Sequence, residues 1–337
     1  MQNGGVMRRL FLLLKKYLVF LEVVVMLGSL LGCQKTTEST TAHSSKIFFT
    51  TYNANENFPS MIADTILAYA QKHQIEIAYE DAALSAEKQV AHIKQAVSEG
   101  YDSIICIPLS STITPQLIEA AGKTPIVFVN SDPGEAVLSP NQFIYVGSKE
   151  REAGTYQAEY IASFFKDKKD LNVVLLEGEL THPATIARTN AVQDYFEEQG
   201  IAVHYVFKDT ANWAAEEAKS VFNLFLKTKQ DFDCVICNND GMALGVIEAY
   251  QEHHIDAQSH PVLGIDATAE GCQAIQEGLM SFTVYQSATG QGEYAIKATQ
   301  LLGKGESIET LEYASSDCQS IWVPFEKVDR SNVENYQ

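Results

Sequence analysis

At six places in this 337-residue chain, polar and aromatic side chains stand directly behind short apolar runs. Tyr52, Asn53 and Glu56-Asn57-Phe58 follow Ile47–Thr51, and Asn130 and Asp132 follow Ile126–Val129. Gly178, Thr181-His182-Pro183 and Arg188 follow Asn172–Glu177, and Asn238-Asn239-Asp240 follow Cys234–Cys237. Asp266 follows Val262–Ile265, Gln286 follows Ser281–Tyr285, and Trp213, one of two tryptophans, stands just after Asp209 at a predicted helix start. Carboxylates and amides pair with hydroxyls, and aromatic faces cover the C–H faces of a sugar ring, so this set suits a neutral polyol. A phosphate would call for more cations and a glycine-rich loop. Each residue also has a purely structural reading. Asp240 before Met242–Tyr250 and Asp266 before Thr268–Gln276 fit helix N-caps, His182 fits a loop histidine, and Trp213 fits a core residue. What favours a ligand set is that the pattern recurs at strand ends in both halves of the chain.

The elements behind those residues follow from hydrophobic spacing. From Lys46 onward, β-like runs (Ile47–Thr51, Ile75–Tyr79, Ser103–Ile107, Ile126–Asn130) alternate with amphipathic stretches such as Phe58–Lys72 and Ala86–Glu99. After a short run at Phe143–Val146 and a break near Gly147, the pattern restarts with Asn172–Glu177, Val203–Phe207, Cys234–Cys237, Val262–Ile265 and Ser281–Tyr285. Apolar strands separated by helices predict parallel sheets covered on both faces, and two such sets predict two doubly wound α/β domains. In such sheets ligands bind beyond the carboxyl ends of the strands, where the polar groups stand. A trailing helix at about 290–303 and a strand at Ile321–Pro324 predict that the chain crosses between the domains more than once. The expected division is 46–147 with about 287–318 for one domain, and 148–286 with about 319–337 for the other. There is no Walker A sequence and no dinucleotide-binding glycine fingerprint.

The N-terminus reads as an export signal. Arg8, Arg9, Lys15 and Lys16 precede an apolar stretch from Tyr17 to Leu31, and Leu30-Leu31-Gly32-Cys33 resembles a lipobox, whose thiol is acylated before cleavage. Residues 1–32 are then a signal peptide, and Cys33 carries a lipid that holds the protein to the membrane outside the cytoplasm. The alternative, an uncleaved membrane helix, has an apolar stretch of about 15 residues interrupted by Glu22, against the roughly 20 that a span needs. Residues 34–45 are polar and rich in Thr and Ser, a flexible tether.

The whole chain carries a net charge of −19; the leader holds four of its 24 basic and one of its 43 acidic residues, so the remainder stands at −22. A surface this acidic argues against nucleic acid or an anionic lipid face as partner. The five cysteines beyond Cys33 do not suggest a disulfide framework. The spacing of Cys234-Val235-Ile236-Cys237 is that of a redox or zinc motif. It lies inside an apolar strand, however, where residues three apart face opposite sides, so both read as buried apolar residues.

Several stretches carry a family resemblance. They are Glu177-Gly178-Glu179-Leu180-Thr181-His182-Pro183 with Ala187-Arg188-Thr189, and Asp209-Thr210-Ala211-Asn212-Trp213. Asn238-Asn239-Asp240-Gly241-Met242-Ala243-Leu244-Gly245 and Leu263-Gly264-Ile265-Asp266-Ala267 continue the match, and Tyr145-Val146-Gly147-Ser148 before Glu150 is similar to the crossover between domains. From about Ile47 to the C-terminus the chain resembles the periplasmic galactose/glucose-binding family, within the ribose-binding-like class of ABC-transporter solute receptors. The resemblance implies the type I periplasmic binding fold, two domains joined by a hinge with multiple crossovers. It places Asn130, His182, Arg188, Trp213, Asn239 and Asp266 on sugar-binding positions, with Phe58 stacking opposite Trp213 and Arg188 forking onto sugar oxygens, oriented by Asp266. Glu56 and Gln286 stand where the family has Asp and Asn, and Ala184 where it has Asp. A monosaccharide is thus implied, while the three departures put glucose and galactose in doubt and leave the sugar open. The family's calcium loop would fall on Phe165–Asp170, which lacks acidic alternation and glycine, so no calcium, and no cofactor or metal, is expected.

The expected function is a lipid-anchored extracytoplasmic receptor that closes two domains on a hexose and delivers it to an ABC sugar permease. The alternative keeps the fold and makes the protein the sensing subunit for a membrane sensor kinase or chemoreceptor. Catalysis is not expected, since there is neither a Gly-x-Ser-x-Gly elbow nor a His-Glu-x-x-His pattern. A repressor of related fold would need a DNA-binding module where the export signal stands.

Overall fold

The computed structural model describes residues 45–336 with the exception of Lys169. The leader at 1–32, the acylation position Cys33 and the tether up to residue 44 lie outside the described residues, as does Lys169 in the segment where no calcium loop is expected. Among the described residues no helix is long and apolar enough to cross a membrane.

Two α/β lobes stand on two sheets. In the first, strands β1 (Lys46–Thr51), β2 (Glu76–Asp81), β3 (Ser103–Ile107), β4 (Ile126–Val129), β5 (Phe143–Gly147) and β11 (Ser320–Trp322) run parallel in the order β11-β5-β4-β3-β1-β2. Its central strands β1, β3 and β4 are buried at every position except Lys46 because both faces are covered, as expected of a buried parallel sheet. The strand period of two sends Ile47, Phe49, Ile105, Val127 and Ile144 to one face. There they pack on helices α1 (Asn57–His73) and α9 (Ala288–Gly303) through Ile62, Ile66, Ala295 and Ile296. Phe48, Ile104, Cys106, Phe128 and Tyr145 go to the other face, against Ile93 of α2 (Ala86–Ser98) and Leu117 of α3 (Thr114–Ala121). Each fully buried Ile or Phe contributes about 1.5–3 kcal/mol relative to exposure.

The second sheet is ordered β7-β6-β8-β9, with β6 (Asp170–Glu177), β7 (Ala202–Thr210), β8 (Cys234–Cys237) and β9 (Val262–Leu263) parallel. Strand β10 (Thr283–Gln286) continues it through parallel bridges from Leu263 to Phe282 and from Asp266 to Tyr285, and β12 (Phe325–Val328) adds an antiparallel edge to β10. Helices α4 (Glu150–Phe164) and α5 (Pro183–Glu198) cover one face, where Cys234 is buried. Helices α6 (Ala215–Leu226), α7 (Asp240–His253) and α8 (Ala269–Glu277) cover the other, where Cys237 is buried. The two thiols therefore face opposite sides of one strand, both are free, and burial pushes both up.

Three segments pass between the lobes: β5 into α4, β10 into α9, and β11 into β12. The last corrects the expected division. Ser320–Trp322, expected in the second lobe, instead pairs in parallel with Tyr145–Gly147 and closes the edge of the first sheet. The crossing falls instead at Val323-Pro324, where proline cannot donate to a ladder and so ends the pairing. Two of the crossings are tied together, since the Val323 N–H donates to the Gly147 carbonyl at 2.8 Å.

Candidate functional site

A cavity of about 300 Å³ opens where the carboxyl ends of the two sheets meet, at the lower end of ligand-pocket sizes. Glu56, Phe58 and Asn130 line it from the first lobe; His182, Arg188, Trp213, Asn239, Asp266 and Gln286 line it from the second. Tyr52, Glu150 and Ala184 complete much of the wall.

Each side chain is set by the element behind it. Glu56 immediately precedes α1, and its carboxylate accepts from the Tyr52 hydroxyl at 2.5 Å and from Asn53 Nδ2 at 3.3 Å. Asn130 leaves β4 with φ +63°, its carbonyl held by the Tyr145 hydroxyl at 2.8 Å. His182 caps α5: its Nδ1 accepts from the Ala184 N–H at 3.2 Å, which leaves the proton on Nε2. Burial, reinforced by the Arg188 charge, lowers its pKa to about 4, so the ring is a neutral donor at ordinary pH. Its edge meets Trp213, with centroids 5.3 Å apart and planes at 79°.

Trp213 occupies a tight turn before α6 with φ +65°, following Asn212 at +45°. Its carbonyl accepts from Asn239 Nδ2 at 3.2 Å. The ring lies flat enough on the chain after β6 that any side chain at Gly178 would collide with it, a Cβ there falling 2.3 Å from the indole. Such clustering of left-handed non-glycine backbone (Asn130, Asn212, Trp213, and Asp266 at φ +120°) is typical of sites that the surrounding fold over-determines.

Arg188 is the organising cation. Its Nε donates to Glu150 Oε2 at 2.6 Å, Nη1 to the Asn238 carbonyl at 2.7 Å, and Nη2 to Gln286 Oε1 at 3.2 Å. Arg188 and Glu150 are 5 and 9 % exposed at their side chains, a buried ion pair. Of five guanidinium N–H groups, three go to fixed protein acceptors and two remain. The carbonyl of Arg188 lies so close to Gly154 of α4 that a Cβ there would fall 2.1 Å away, which brings α5 onto α4 and Arg188 over Glu150.

Behind the wall, Asp240 is fully buried and accepts from Thr268 N at 2.8 Å, Thr268 Oγ1 at 3.3 Å and Thr283 Oγ1 at 2.6 Å. Asp266, 8 % exposed, accepts no hydrogen bond at its carboxylate from any described residue. Burial raises its pKa well above the usual range, the Arg188 charge opposes that rise, and Asp240 and Glu150 add to it.

Two expectations are corrected here. Asp240 and Asp266 do not cap helices: Asn239 caps α7 by accepting from Met242 N, and Thr268 caps α8 by accepting from Gly271 N. This releases Asp240 to a buried network and Asp266 to the cavity. Arg188 is not oriented by a hydrogen bond to Asp266; Glu150, Asn238 and Gln286 hold it. Tyr52, one of the polar residues behind β1, lines the cavity, and so does Glu150, which nothing in the sequence singles out as a ligand residue. Glu150 stands three residues past β5, where the strand-end rule applies, but that strand read as a break between domains rather than as a wall of the site.

The chemistry is that of a small, polar, partly apolar-walled recess. It offers a neutral imidazole N–H, two guanidinium N–H groups and amides as donors, carboxylates as acceptors, and aromatic rings from both lobes, Tyr52 and Phe58 from the first and Trp213 from the second. Among the described residues no group of three or more His, Cys, Asp or Glu side chains is placed to hold a metal ion.

The family model described as periplasmic binding protein domain matches residues 47–307. The "Putative rhizopine-binding protein" of Rhizobium meliloti is 30% identical over 304 residues, covering 89% of this chain and 94% of that protein. The D-galactose/methyl-galactoside binding periplasmic protein of Haemophilus influenzae is 29% identical over 310 residues, covering 88% of this chain and 92% of that protein. Among solved structures, an ABC transporter solute binding protein from Bacillus halodurans with bound myo-inositol superposes with a TM-score of 0.76 at 27% identity, covering 87% of this chain and 97% of that one.

Proposed function

The chain belongs to the periplasmic binding protein domain family, and we propose that it is an extracytoplasmic receptor for one neutral monosaccharide, a hexose such as galactose or glucose, which it presents to an ABC sugar permease. The observation that carries the reading is Asp266, a buried carboxylate with no protein donor, facing the same cavity as Phe58, Trp213 and the neutral His182 N–H. A buried carboxylate left without a donor costs several kcal/mol. Two adjacent hydroxyls of a polyol would supply the missing bonds, while the ring C–H faces meet the aromatic rings. The ligands for which two of the relatives are named, a galactoside and myo-inositol, are cyclic polyols of this size.

Contacts from both lobes favour the closed arrangement, so ligand binding and hinge closure are one equilibrium. Acylation at Cys33 holds the receptor to the membrane; labelling with a radioactive fatty acid should mark the wild type and leave Cys33→Ala unmarked and released. The ligand reading is tested by calorimetric titration of the intact protein with galactose, glucose, myo-inositol, ribose and xylose. One-to-one binding of a hexose, abolished in Asp266→Ala, is the expected result. No binding across the panel, or binding that survives Asp266→Ala unchanged, overturns it.

A further inference from the structure

The ion pair at the hinge side of the cavity has an unused half. Glu150 opens α4, in the first turn, where the helix dipole favours an anion. Only one of its two oxygens is fully engaged, Oε2 accepting from Arg188 Nε at 2.6 Å. The other, Oε1, has one long contact, 3.4 Å from Gln286 Nε2. A carboxylate offers about four lone-pair positions, and this one is 9 % exposed at the side chain and part of the cavity wall. Burial pushes its pKa up, against the pull of Arg188, so the protein sustains a cost in keeping a carboxylate here. Anchoring Arg188 alone would use only Oε2. On the α5 side of the same cavity the wall ends in the methyl group of Ala184, which offers no acceptor.

We propose that Glu150 is a ligand-contacting, specificity-determining residue, whose Oε1 accepts a hydrogen bond from one particular hydroxyl of the bound polyol while Oε2 fixes the Arg188 fork. The inference rests on the monosaccharide reading above and adds which carboxylate at the hinge selects among hydroxyl patterns. Gln286 takes part as a spacer: its Oε1 accepts from Arg188 and its Nε2 reaches Glu150, so it sets the direction in which the free lone pairs point. Glu150 directly follows the β5 crossing and Gln286 directly precedes the β10 crossing. The selecting group therefore sits on the two segments that must move when the lobes close.

The test is a cycle between protein and ligand. The intact wild type, Glu150→Gln and Glu150→Ala are titrated with the tightest-binding hexose and with its 2-, 3-, 4- and 6-deoxy analogues. The wild type should lose tenfold to a hundredfold for one particular analogue through Glu150, as expected for a hydrogen bond to a charged group. That penalty should shrink at least fivefold in Glu150→Gln and vanish in Glu150→Ala, while penalties for the other analogues keep their size. If Glu150 only positions Arg188, both variants weaken every ligand by a common factor and the profile across analogues keeps its shape; that result overturns the proposal. Glu150→Gln keeps the shape of the side chain, so the profile can be read even if Glu150→Ala fails to fold. Failure of the wild type to bind any sugar would remove the monosaccharide reading itself, and the proposal with it, an outcome distinct from an unchanged profile.

Discussion

Replacing Gly178 by Ala adds one methyl group and tests whether Trp213 shapes the cavity. The new Cβ would lie 2.3 Å from Cε2 and Cζ2 of the indole and 2.4 Å from Cη2. Carbon atoms in ordinary contact sit about 3.5–4.0 Å apart, so the ring must retreat by more than about 1 Å. Its freedom is small, because the backbone is fixed at φ +65°, the carbonyl is bonded to Asn239 and the ring edge rests on His182. In a closed core such overpacking costs about 1–3 kcal/mol of stability; here the ring can yield only toward the open cavity, so the same cost falls on the bound state. Trp213 is only partly buried and borders the cavity, so the retreating ring alters the ligand's space more than the core. Affinity should therefore fall between about fivefold and 150-fold, at about 1.4 kcal/mol per factor of ten. Stability should change little, by less than about 3 °C in melting temperature. Calorimetric titration and differential scanning calorimetry on the same preparation separate the two. Wild-type affinity in Gly178→Ala would refute the placement of Trp213 as a wall of the site, as would a large drop in melting temperature with affinity intact.

Arg188→Ala leaves Glu150 buried without its cation and should lower unfolding free energy by about 3–5 kcal/mol in urea titration, besides abolishing ligand binding; a loss under 1 kcal/mol would contradict the buried pair. Burial pushes the Asp240 carboxyl up to about 7, so the folded chain keeps a proton that the unfolded chain releases at ordinary carboxylate pH. The stability this group contributes is thus fully present below about pH 4 and lost as pH rises to about 7. Melting curves from pH 5 to 8 should fall in the wild type relative to Asp240→Asn, and parallel curves would contradict it. Of the cysteines in the described residues, Cys106, Cys234, Cys237 and Cys272 are buried and Cys318 is partly exposed. Maleimide should modify Cys318 in the native protein well before the others, as read by peptide mass spectrometry; early modification of Cys234 and Cys237 together would point to a reactive pair.

The fold was largely legible because buried parallel strands announce themselves. Runs such as Ile104–Ile107 and Ile126–Val129 are apolar at every position, and their carboxyl ends mark where polar groups gather. What stayed hidden was pairing. Nothing in the triplet Ser320–Trp322 says which sheet it joins; that is decided by the edge that β5 leaves open and by Pro324, which ends the strand. The short antiparallel strand Phe325–Val328 is apolar only at its ends and gives no period to read. In the site, residue types were legible and roles were not. Asn238-Asn239-Asp240 offered three equivalent polar groups. Only the helix geometry assigns Asn239 to the cap, the Asn238 carbonyl to Arg188, and Asp240 to the two threonines. Glu150 lay one crossing away from the sheet end that it serves.

In the proposed complex a cyclic polyol occupies the recess between the lobes, with its hydroxyls on Asp266 and its ring against Trp213 and Phe58. The most direct measurement is a crystal structure of the intact protein grown with the tightest-binding hexose. One sugar is expected in this cavity, with a hydroxyl within hydrogen-bond distance of both Asp266 oxygens and a guanidinium N–H of Arg188 on a sugar oxygen. A sugar bound elsewhere, or one seated here with the Asp266 carboxylate still unpaired, would contradict it.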